Sequence, residues 1–523
     1  MHKKVAALDL GTNSFHLLVA LIDQERQEVR IERRRREFVF LGRELQGDPP
    51  QFSEVGIERS IETLRQLVRE AHQAGAEVFI ACATEAFRRA ANATLLTEAI
   101  RHELNIEVRI LSGAEEARLI HEGVKHGLLL PDEPYLVMDI GGGSVEFIWG
   151  EKGEIYYLFS VPLGVTALQQ RFPEPDPLSP SVVEAIQHFV RETLMPHLDV
   201  LPRQSLHHLI GTSGTYKTLA RIIAHHTGDS SAVQTVHGYR FGPMVFHSIY
   251  QKLITLPLPA RLQLKGMQAE RAPLLPYGAV LIYEVLRLFP IQTITISEYA
   301  LREGIVYEYA QQIFSMSTPS ERPIRERTII SLGEKYHLPI NHARLARRWA
   351  EELFDLLRPL HQLGPTEREW LAYAAYLHDI GHFINPSGHH KHGMYILLNS
   401  PMPGFASEEV LLMANLVRYH RKSLPSSEHF HYTALPRSQK KLIGVLAPLV
   451  RLADQFAKYL QHEPLHLSAS WNETQVEIIA STPDAGAGRF LPSIYSEVQD
   501  FFERGYNRQL VMKLTWQPVT SSS

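Results

Sequence analysis

Asp9-Leu10-Gly11-Thr12-Asn13-Ser14 (DLGTNS) follows the apolar run 5–8, and its pattern returns at Asp139-Ile140-Gly141-Gly142-Gly143-Ser144 (DIGGGS) after the apolar run 135–138. A glycine directly after a buried strand lets the backbone bend tightly and turn its N–H groups toward an anion. Ser and Thr hydroxyls add donors, and the leading aspartate offers oxygen to a cation beside a phosphate. A third glycine turn, Gly211-Thr212-Ser213-Gly214-Thr215, follows the apolar run 206–210. One such turn is usually only a turn. Two copies of Asp-x-Gly-x-x-Ser about 130 residues apart read as a duplication: two α/β halves, each opening on a strand and a phosphate-binding hairpin, with the phosphates in the cleft between them.

Outward from these turns, periodicity divides the chain. Residues 5–22 and 28–41 alternate as strands, and 54–74 carries apolar residues at helical spacing with Ser53 as its N-cap. Residues 78–83 and 108–111 read as strands, 86–90 begins a helical stretch, and 115–125 reads as a helix. That gives a first half over 1–124. The second, 125–314, has strands at 135, 145–149, 155–161 and 293–296, helices near 181–198 and 214–226, and a final helix over 307–314. The basic run Arg33 to Arg36 lies beside strands and reads as a solvated edge. Residues 315–325, rich in Ser, Pro and charge, read as a linker. Beyond it the pattern is all-helical over 326–463. After Pro464 it returns to strands at 465–471, 476–481 and 510–516 with a helix at 494–504, a small α/β appendage over 464–523.

The stretches DLGTNSFHLL (9–18), LSGAEEAR (111–118), DIGGGSVEF (139–147), GTSGT (211–215) and ALREGIV (300–306) stand in order over the first 310 residues. Together they resemble the exopolyphosphatase/guanosine pentaphosphate phosphatase (Ppx/GppA) family. The resemblance implies two ribonuclease H-like halves of the actin-like ATPase superfamily, and a homodimer. It makes Glu116, the second Glu of LSGAEEAR, the catalytic base, and puts Arg88 near the phosphates. The plain alternative is that Glu115 and Glu116 only complement a helix dipole. Phosphate binding falls to Gly11, Thr12, Asn13 and Ser14, to Gly141, Gly142, Gly143 and Ser144, and to Gly211, Thr212, Ser213 and Gly214. Asp9, Asp139 and Glu146 supply hard oxygens, which suit Mg²⁺. Arg302 and Glu303 match the family without an assigned chemistry and are expected at the hinge.

A second constellation lies in the helical region, where histidines concentrate. His342, His378-Asp379 and Asp454 follow the order His…His-Asp…Asp, which resembles the HD metal-dependent phosphohydrolase superfamily. Two imidazoles and two carboxylates make a mixed site for Mn²⁺, Fe²⁺ or Zn²⁺. His390, His392 and His420 are further candidates. The alternative is an HD-like helical domain whose histidines bind polyphosphate or satisfy core hydrogen bonds. Arg347, Arg348, Lys391, Arg418, Arg421 and Lys422 are candidates to line a polyanion channel there.

The leading functional reading is an exopolyphosphatase that releases terminal orthophosphate from inorganic polyphosphate. A guanosine pentaphosphate (pppGpp) phosphohydrolase would use the same site. An HD-domain nucleotide hydrolase and a phosphate-polymer sensor are readings of other classes. A kinase would need an adenosine pocket and an acceptor site, and Glu115-Glu116-Ala117-Arg118 with Asn13-Ser14 favours the phosphatase. The net charge of −4 argues against general nucleic-acid binding. Cys82 is the single cysteine, which excludes an intramolecular disulfide and a cysteine zinc cluster. The amino terminus enters a strand without a signal-like apolar segment, and no run of about 18 apolar residues occurs, so a cytoplasmic protein without a membrane span is expected.

Overall fold

Each Asp-x-Gly-x-x-Ser turn closes the first hairpin of its own sheet. The computed structural model describes residues 2–173, 176–202, 204–229, 235–314, 324–422, 424–433, 435–459, 466–482 and 491–516. The chain divides into two units, 1–324 and 325–523.

In the first unit, β1 (His2–Leu10) pairs antiparallel with β2 (Ser14–Asp23), and β2 with β3 (Glu28–Phe38). On the other side β1 pairs parallel with β4 (Val78–Ala83), and β4 with β5 (Val108–Ile110), giving the order β3-β2-β1-β4-β5. The second sheet repeats this with β6 (Tyr135–Ile140), β7 (Val145–Glu151), β8 (Glu154–Val161), β9 (His208–Thr212), β10 (Arg240–Phe241) and β11 (Thr293–Ile296), in the order β8-β7-β6-β9-β11-β10. The duplication extends to single hydrogen bonds. Gly11 N–H donates to the Ser14 carbonyl at 3.2 Å, and Gly141 N–H to the Ser144 carbonyl at 3.0 Å.

Side chains alternate across each sheet. Ala6, Leu8 and Leu10 of β1 face outward under α1 (Glu54–Gln73) and α3 (Ala93–Leu104), whereas Val5 and Ala7 face inward. In β6, Leu136, Met138 and Ile140 face the outer helices, and Tyr135 and Val137 face inward. Ser53 caps α1 as expected, its Oγ accepting the Gly56 N–H at 3.0 Å.

Two helices fill the space between the sheets. The helix α4 (Gly113–Gly127) packs on β7 and β8 of the second sheet, and α10 (Leu301–Phe314) packs on β1 and β2 of the first. Each half therefore lends a helix to the other half's sheet. The final helix begins at Leu301, six residues before the expected 307, because Leu301, Ile305, Val306 and Ala310 form one buried stripe. The two helices touch backbone to backbone. A Cβ on Gly304 would lie 1.8 Å from the Leu119 carbonyl oxygen, and one on Gly123 would lie 2.1 Å from that of Ala300. The helices α8 (Pro243–Thr255) and α9 (Leu275–Leu288) were not read from the sequence. In α9, Leu275 through Ile282 is buried on all sides, which leaves no amphipathic period to detect.

The second unit consists of α11 (Ile324–Lys335), α12 (Ile340–His361), α13 (Pro365–Leu377), α14 (His389–Asn399), α15 (Ser407–Tyr419) and α16 (Arg437–Tyr459), then the sheet β12 (His466–Trp471), β13 (Gln475–Thr482), β14 (Gln509–Trp516) with α17 (Leu491–Tyr506). Val476, Ile478, Val498 and Phe502 share one core with Trp349, Leu377, Val417 and Phe456, so the strands expected as an appendage are packed into the helical body. Residues 315–323 of the expected linker lie outside the described residues. Among the described residues no helix is long and apolar enough to cross a membrane.

Candidate active site

The cleft between the two halves is lined by Asp9, Gly11, Thr12, Asn13 and Ser14, by Asp139 and Gly141 through Ser144, by Ser213 and Gly214, and by Glu116. Three phosphate-turn candidates from distant parts of the chain thus meet at one place. Gly211 and Thr212 are buried beneath it at the end of β9. Ser213 opens α7 (Ser213–Thr227) with φ 73°, a left-handed conformation on a non-glycine residue, which costs about 1–3 kcal/mol and is held by its surroundings. Its Oγ donates to the Ile140 carbonyl at 3.0 Å, and its N–H to Thr212 Oγ1 at 2.7 Å. The first turn is tied to its neighbours as well. Thr12 Oγ1 donates to Glu85 Oε2 at 3.2 Å, and Asn13 Nδ2 to Thr166 Oγ1 at 2.8 Å.

The neighbours Glu115 and Glu116 take different roles at the head of α4. Glu115 is exposed and completes a capping box, its Oε2 accepting the Ser112 N–H at 2.8 Å while Ser112 Oγ accepts the Glu115 N–H. Glu116 is buried and lines the cleft. Arg88, from the short helix α2 (Glu85–Arg89), donates through Nη1 to Glu116 Oε2 at 2.7 Å and to the Leu111 carbonyl at 2.9 Å. Burial, and after it the Glu146 carboxylate, push Glu116 well above the usual carboxylate range, against the opposing pull of Arg88. Arg88 therefore touches Glu116 and does not itself line the cleft.

The remaining carboxylates are crowded and desolvated. Asp139 and Glu146 are cross-strand partners in the β6–β7 hairpin. Burial, reinforced by Glu146 and Asp9, raises Asp139 to about 8. Burial raises Asp9 to about 7 against the nearby Arg302. Glu146 is raised by burial and accepts the Ser160 hydroxyl at 2.8 Å. Such a set fits a hard cation, because a cation offsets charges that burial disfavours. The ligand atoms of these three residues do not form a group within 4.8 Å of one another, among the described residues.

The cleft also holds the cations Arg36, Lys217, Arg271 and Arg302; sequence reasoning missed Lys217 and Arg271, and placed Arg36 on a solvated edge and Arg302 at the hinge. Arg302 Nη1 donates to His16 Nδ1 at 3.2 Å, and His16 Nε2 lies 2.8 Å from Ser14 Oγ. A guanidinium only donates, so His16 Nδ1 accepts and its Nε2–H donates to Ser14 Oγ. The Ser14 hydroxyl hydrogen is thereby left for an anion in the cleft. Burial pushes Lys217 down to about 8, helped by Arg302, and Arg271 down to about 10, helped by Arg36. The guanidinium of Arg271 lies where a Cβ on Gly214 would be, so only glycine admits it. The cleft continues along Arg34, Arg35, Arg36, Lys217, Arg221 and Gln268.

The β3 alternation corrects the solvated-edge reading for Arg34 and Arg36, while Arg33 and Arg35 are exposed as expected. Arg33 and Arg35 reach toward Glu70 at 3.8 and 3.7 Å on one side. Arg34 is bonded to the buried Glu303 at 3.2 Å and lies over the Tyr299 ring on the other, and Arg36 enters the cleft. The two-residue period within the basic run was the available signal. For Lys217 the signal was its place one helical turn after Ser213.

In the second unit, His342, His378, Asp379 and Asp454 present ligand atoms within 4.8 Å of one another. His342 Nε2 lies 3.3 Å from both His378 Nε2 and Asp454 Oδ1, and His378 Nε2 lies 3.2 Å from Asp454 Oδ1. His390 is buried beside His389 and His420 with Nδ1 unpartnered. The expected channel cations fare differently. Arg347 is paired with Glu326 at 2.7 Å and Arg348 with Glu352 at 2.9 Å, and Arg418 is buried, while Lys391, Arg421 and Lys422 are exposed.

The Ppx/GppA phosphatase family profile matches residues 19–313, and that of Ppx/GppA phosphatase domain III matches residues 324–481. The crystal structure of an exopolyphosphatase from Cytophaga hutchinsonii is similar at 31% identity and a TM-score of 0.55, over 59% of this chain and 98% of that one. A Ppx/GppA family member from Aquifex aeolicus shares the fold at 24% identity and a TM-score of 0.52, over 61% of this chain and 100% of that one.

Proposed function

Because the chain belongs to the Ppx/GppA phosphatase family and is a phosphoric anhydride hydrolase, we propose that its substrate is inorganic polyphosphate, from which it releases terminal orthophosphate. One observation carries this choice. The cleft and its extension are lined by cations, polar groups and the aliphatic side chains of Ile120, Ile140, Val165 and Leu301, with no Phe, Tyr or Trp among the described lining residues. A row of phosphates needs only charge and donors, whereas a guanine base is held by stacking and edge hydrogen bonds. Arg36, Lys217, Arg271 and Arg302 supply more positive charge than one terminal phosphate requires. The similar protein from Cytophaga hutchinsonii is described as an exopolyphosphatase.

In this reading the terminal phosphate sits among the three turns, with the Ser14 hydroxyl donating to it. Glu116 takes the proton from the attacking water, and its pKa, raised by burial and by Glu146, makes its carboxylate a stronger base than an ordinary glutamate. Arg88 fixes the Glu116 carboxylate through Oε2. Asp9, Asp139 and Glu146 would hold Mg²⁺ directly or through its water ligands, and the ion would supply charge neutralisation for the phosphate oxygens. The polyanion lies along the 1–324 unit. For the 325–523 unit we propose an HD-like domain in which His342, His378, Asp379 and Asp454 hold one Mn²⁺, Fe²⁺ or Zn²⁺ ion.

The deciding experiment compares phosphate release from long-chain polyphosphate and from guanosine pentaphosphate with Mg²⁺ in excess. The expected outcome is a higher kcat/KM on polyphosphate. A preference for the nucleotide would overturn the substrate assignment while leaving the hydrolase intact.

A further inference from the structure

Ser14 Oγ lies 2.8 Å from His16 Nε2, and both residues line the cleft. In a hydrolase such a pair is the usual mark of a nucleophile and its base, in which the imidazole takes the hydroxyl hydrogen. That role needs a lone pair at Nε2. Arg302 decides whether one is there. Its Nη1 lies 3.2 Å from His16 Nδ1, and a guanidinium has no lone pair to offer. The Nδ1 lone pair is therefore taken by Arg302, the single ring hydrogen sits on Nε2, and Ser14 Oγ accepts it. His16 has no site left at which to receive a proton from Ser14.

The chain of bonds starts deeper in the fold. Arg302 and its neighbour Glu303 lie in the first turn of α10. Arg302 Nη2 is 3.6 Å from Glu303 Oε1. The fully buried Glu303 carboxylate also accepts Arg34 Nε at 3.2 Å and the Ala300 N–H at 3.0 Å. The guanidinium is thus fixed at the start of the unit's last helix, and His16 carries its polarity across to β2 and the first turn. Hydrogen bonds that run in one direction polarise one another, so Ser14 is a stronger donor than an isolated serine hydroxyl. Arg302 and Glu303, which matched the family without an assigned chemistry, gain one here.

We propose that His16 is a positioning residue of the phosphatase reaction: held by Arg302, it keeps the Ser14 oxygen as an acceptor and so turns the Ser14 hydroxyl hydrogen onto an oxygen of the terminal phosphate, and Ser14 is not a nucleophile. The inference rests on the placement of that phosphate among the three turns and adds the residue that sets the polarity of one of them. No bond to Ser14 forms, and water remains the attacking group. An oxygen that meets this hydroxyl must itself accept, as the unprotonated oxygens of a terminal phosphate do.

The test is a double-mutant cycle in the full chain at saturating Mg²⁺, with the fold of each variant checked by circular dichroism. The substrate is whichever of long-chain polyphosphate and guanosine pentaphosphate the wild type hydrolyses with the higher kcat/KM, so an error in the substrate assignment does not enter the comparison. Ser14→Ala is expected to lower kcat/KM about 10- to 100-fold, the scale of a charge-assisted hydrogen bond. His16→Leu is expected to lose much of the same factor on its own, and less than about twofold once Ser14 is alanine. His16→Gln, which can accept from Arg302 and donate to Ser14, is expected to recover most of the loss. If His16→Leu does not fold, His16→Met takes its place in the cycle. Equal losses from His16→Leu in the two backgrounds, or a His16→Gln no better than His16→Leu, overturn the relay while leaving the phosphate where it is placed. A fully active Ser14→Ala overturns that placement as well. Wild type quenched in acid during turnover is also digested and searched by mass spectrometry for phosphoserine at position 14. None is expected, and its presence would make Ser14 the nucleophile and end the proposal.

Discussion

Glu116→Gln keeps the shape of the side chain and an oxygen for Arg88 while removing the group that accepts the proton from water. Loss of a general base typically costs about 10²- to 10⁴-fold in rate, which is about 3–5 kcal/mol on the barrier. The structure separates this loss from unfolding. Glu116 is buried and its carboxylate is pushed well above its ordinary range by burial and by Glu146, so a neutral amide relieves a charge that the fold disfavours. The variant should melt at or above the wild-type temperature near neutral pH. Its neighbour is the internal control. Glu115 is exposed and works as a capping box, a role glutamine also fills, so Glu115→Gln should stay within about twofold of wild type, as surface substitutions do. The assay is initial phosphate release from polyphosphate at saturating Mg²⁺ across pH, with thermal melts of the same samples. Wild type should show an acid limb displaced above the usual carboxylate range, because the base works only when deprotonated, and Glu116→Gln should flatten it. Glu116→Gln activity within tenfold of wild type, or equal losses in the two variants, refutes the assignment.

Lys217, pushed down to about 8 by burial, should lose its charge as pH rises through that value. KM for polyphosphate should then climb above about pH 8, and Lys217→Met should raise KM at neutral pH and abolish the climb. Asp9 and Asp139 have folded pKa values of about 7 and about 8 against ordinary values near 3.8. Their contribution to stability is full below about pH 4 and is lost as pH rises through about 7–8. The metal-free chain should therefore weaken over that window, and the gain in Tm from Mg²⁺ should widen with pH in paired melts. A pH-independent gain would show that the ion does not meet these carboxylates. Arg271→Ala should raise KM for long chains about 10- to 100-fold, the scale of a lost charge-assisted hydrogen bond. It should also flatten the salt dependence of KM, whereas Lys422→Ala should do neither, because the polyanion is assigned to the first unit. A chain ending at residue 324 should still hydrolyse short polyphosphate, measured as phosphate release with Mg²⁺, since every cleft residue precedes that point. An inactive but folded truncation would place part of the catalytic machinery in the second unit.

The parts of the molecule legible in the sequence are those where local chemistry and final environment agree. The turns at Gly11 and Gly141 carry their own strand, bend and donors, and they meet in the cleft as read. Ser53 caps its helix where the side chain alone predicts it. The pair Glu115–Glu116 was legible as a helix start, but only the fold divides it into one exposed cap and one buried carboxylate. What was illegible depends on packing from afar. The stretch Leu275–Ile282 of α9 has no polar face because partners cover it on every side, and periodicity fails there. Arg36 and Lys217 look like ordinary surface cations until β3 and α7 are set on opposite walls of one cleft. Val476 and Phe502 belong to the same core as Trp349, although Pro464 marks a change of pattern.

The helices exchanged between the sheets order the molecule's birth. Val5 and Ala310 lie in one core, so the inner face of the first sheet stays open while the ribosome makes everything in between. Contacts of such sequence separation form slowly and leave apolar surface exposed meanwhile. The second half is, topologically, an insertion between α4 and α10, and the last helix of the unit seals the first sheet. A stop codon placed before Leu301 would thus leave the inner face of the first sheet uncovered and α4 without its partner helix, and not yield a smaller phosphatase.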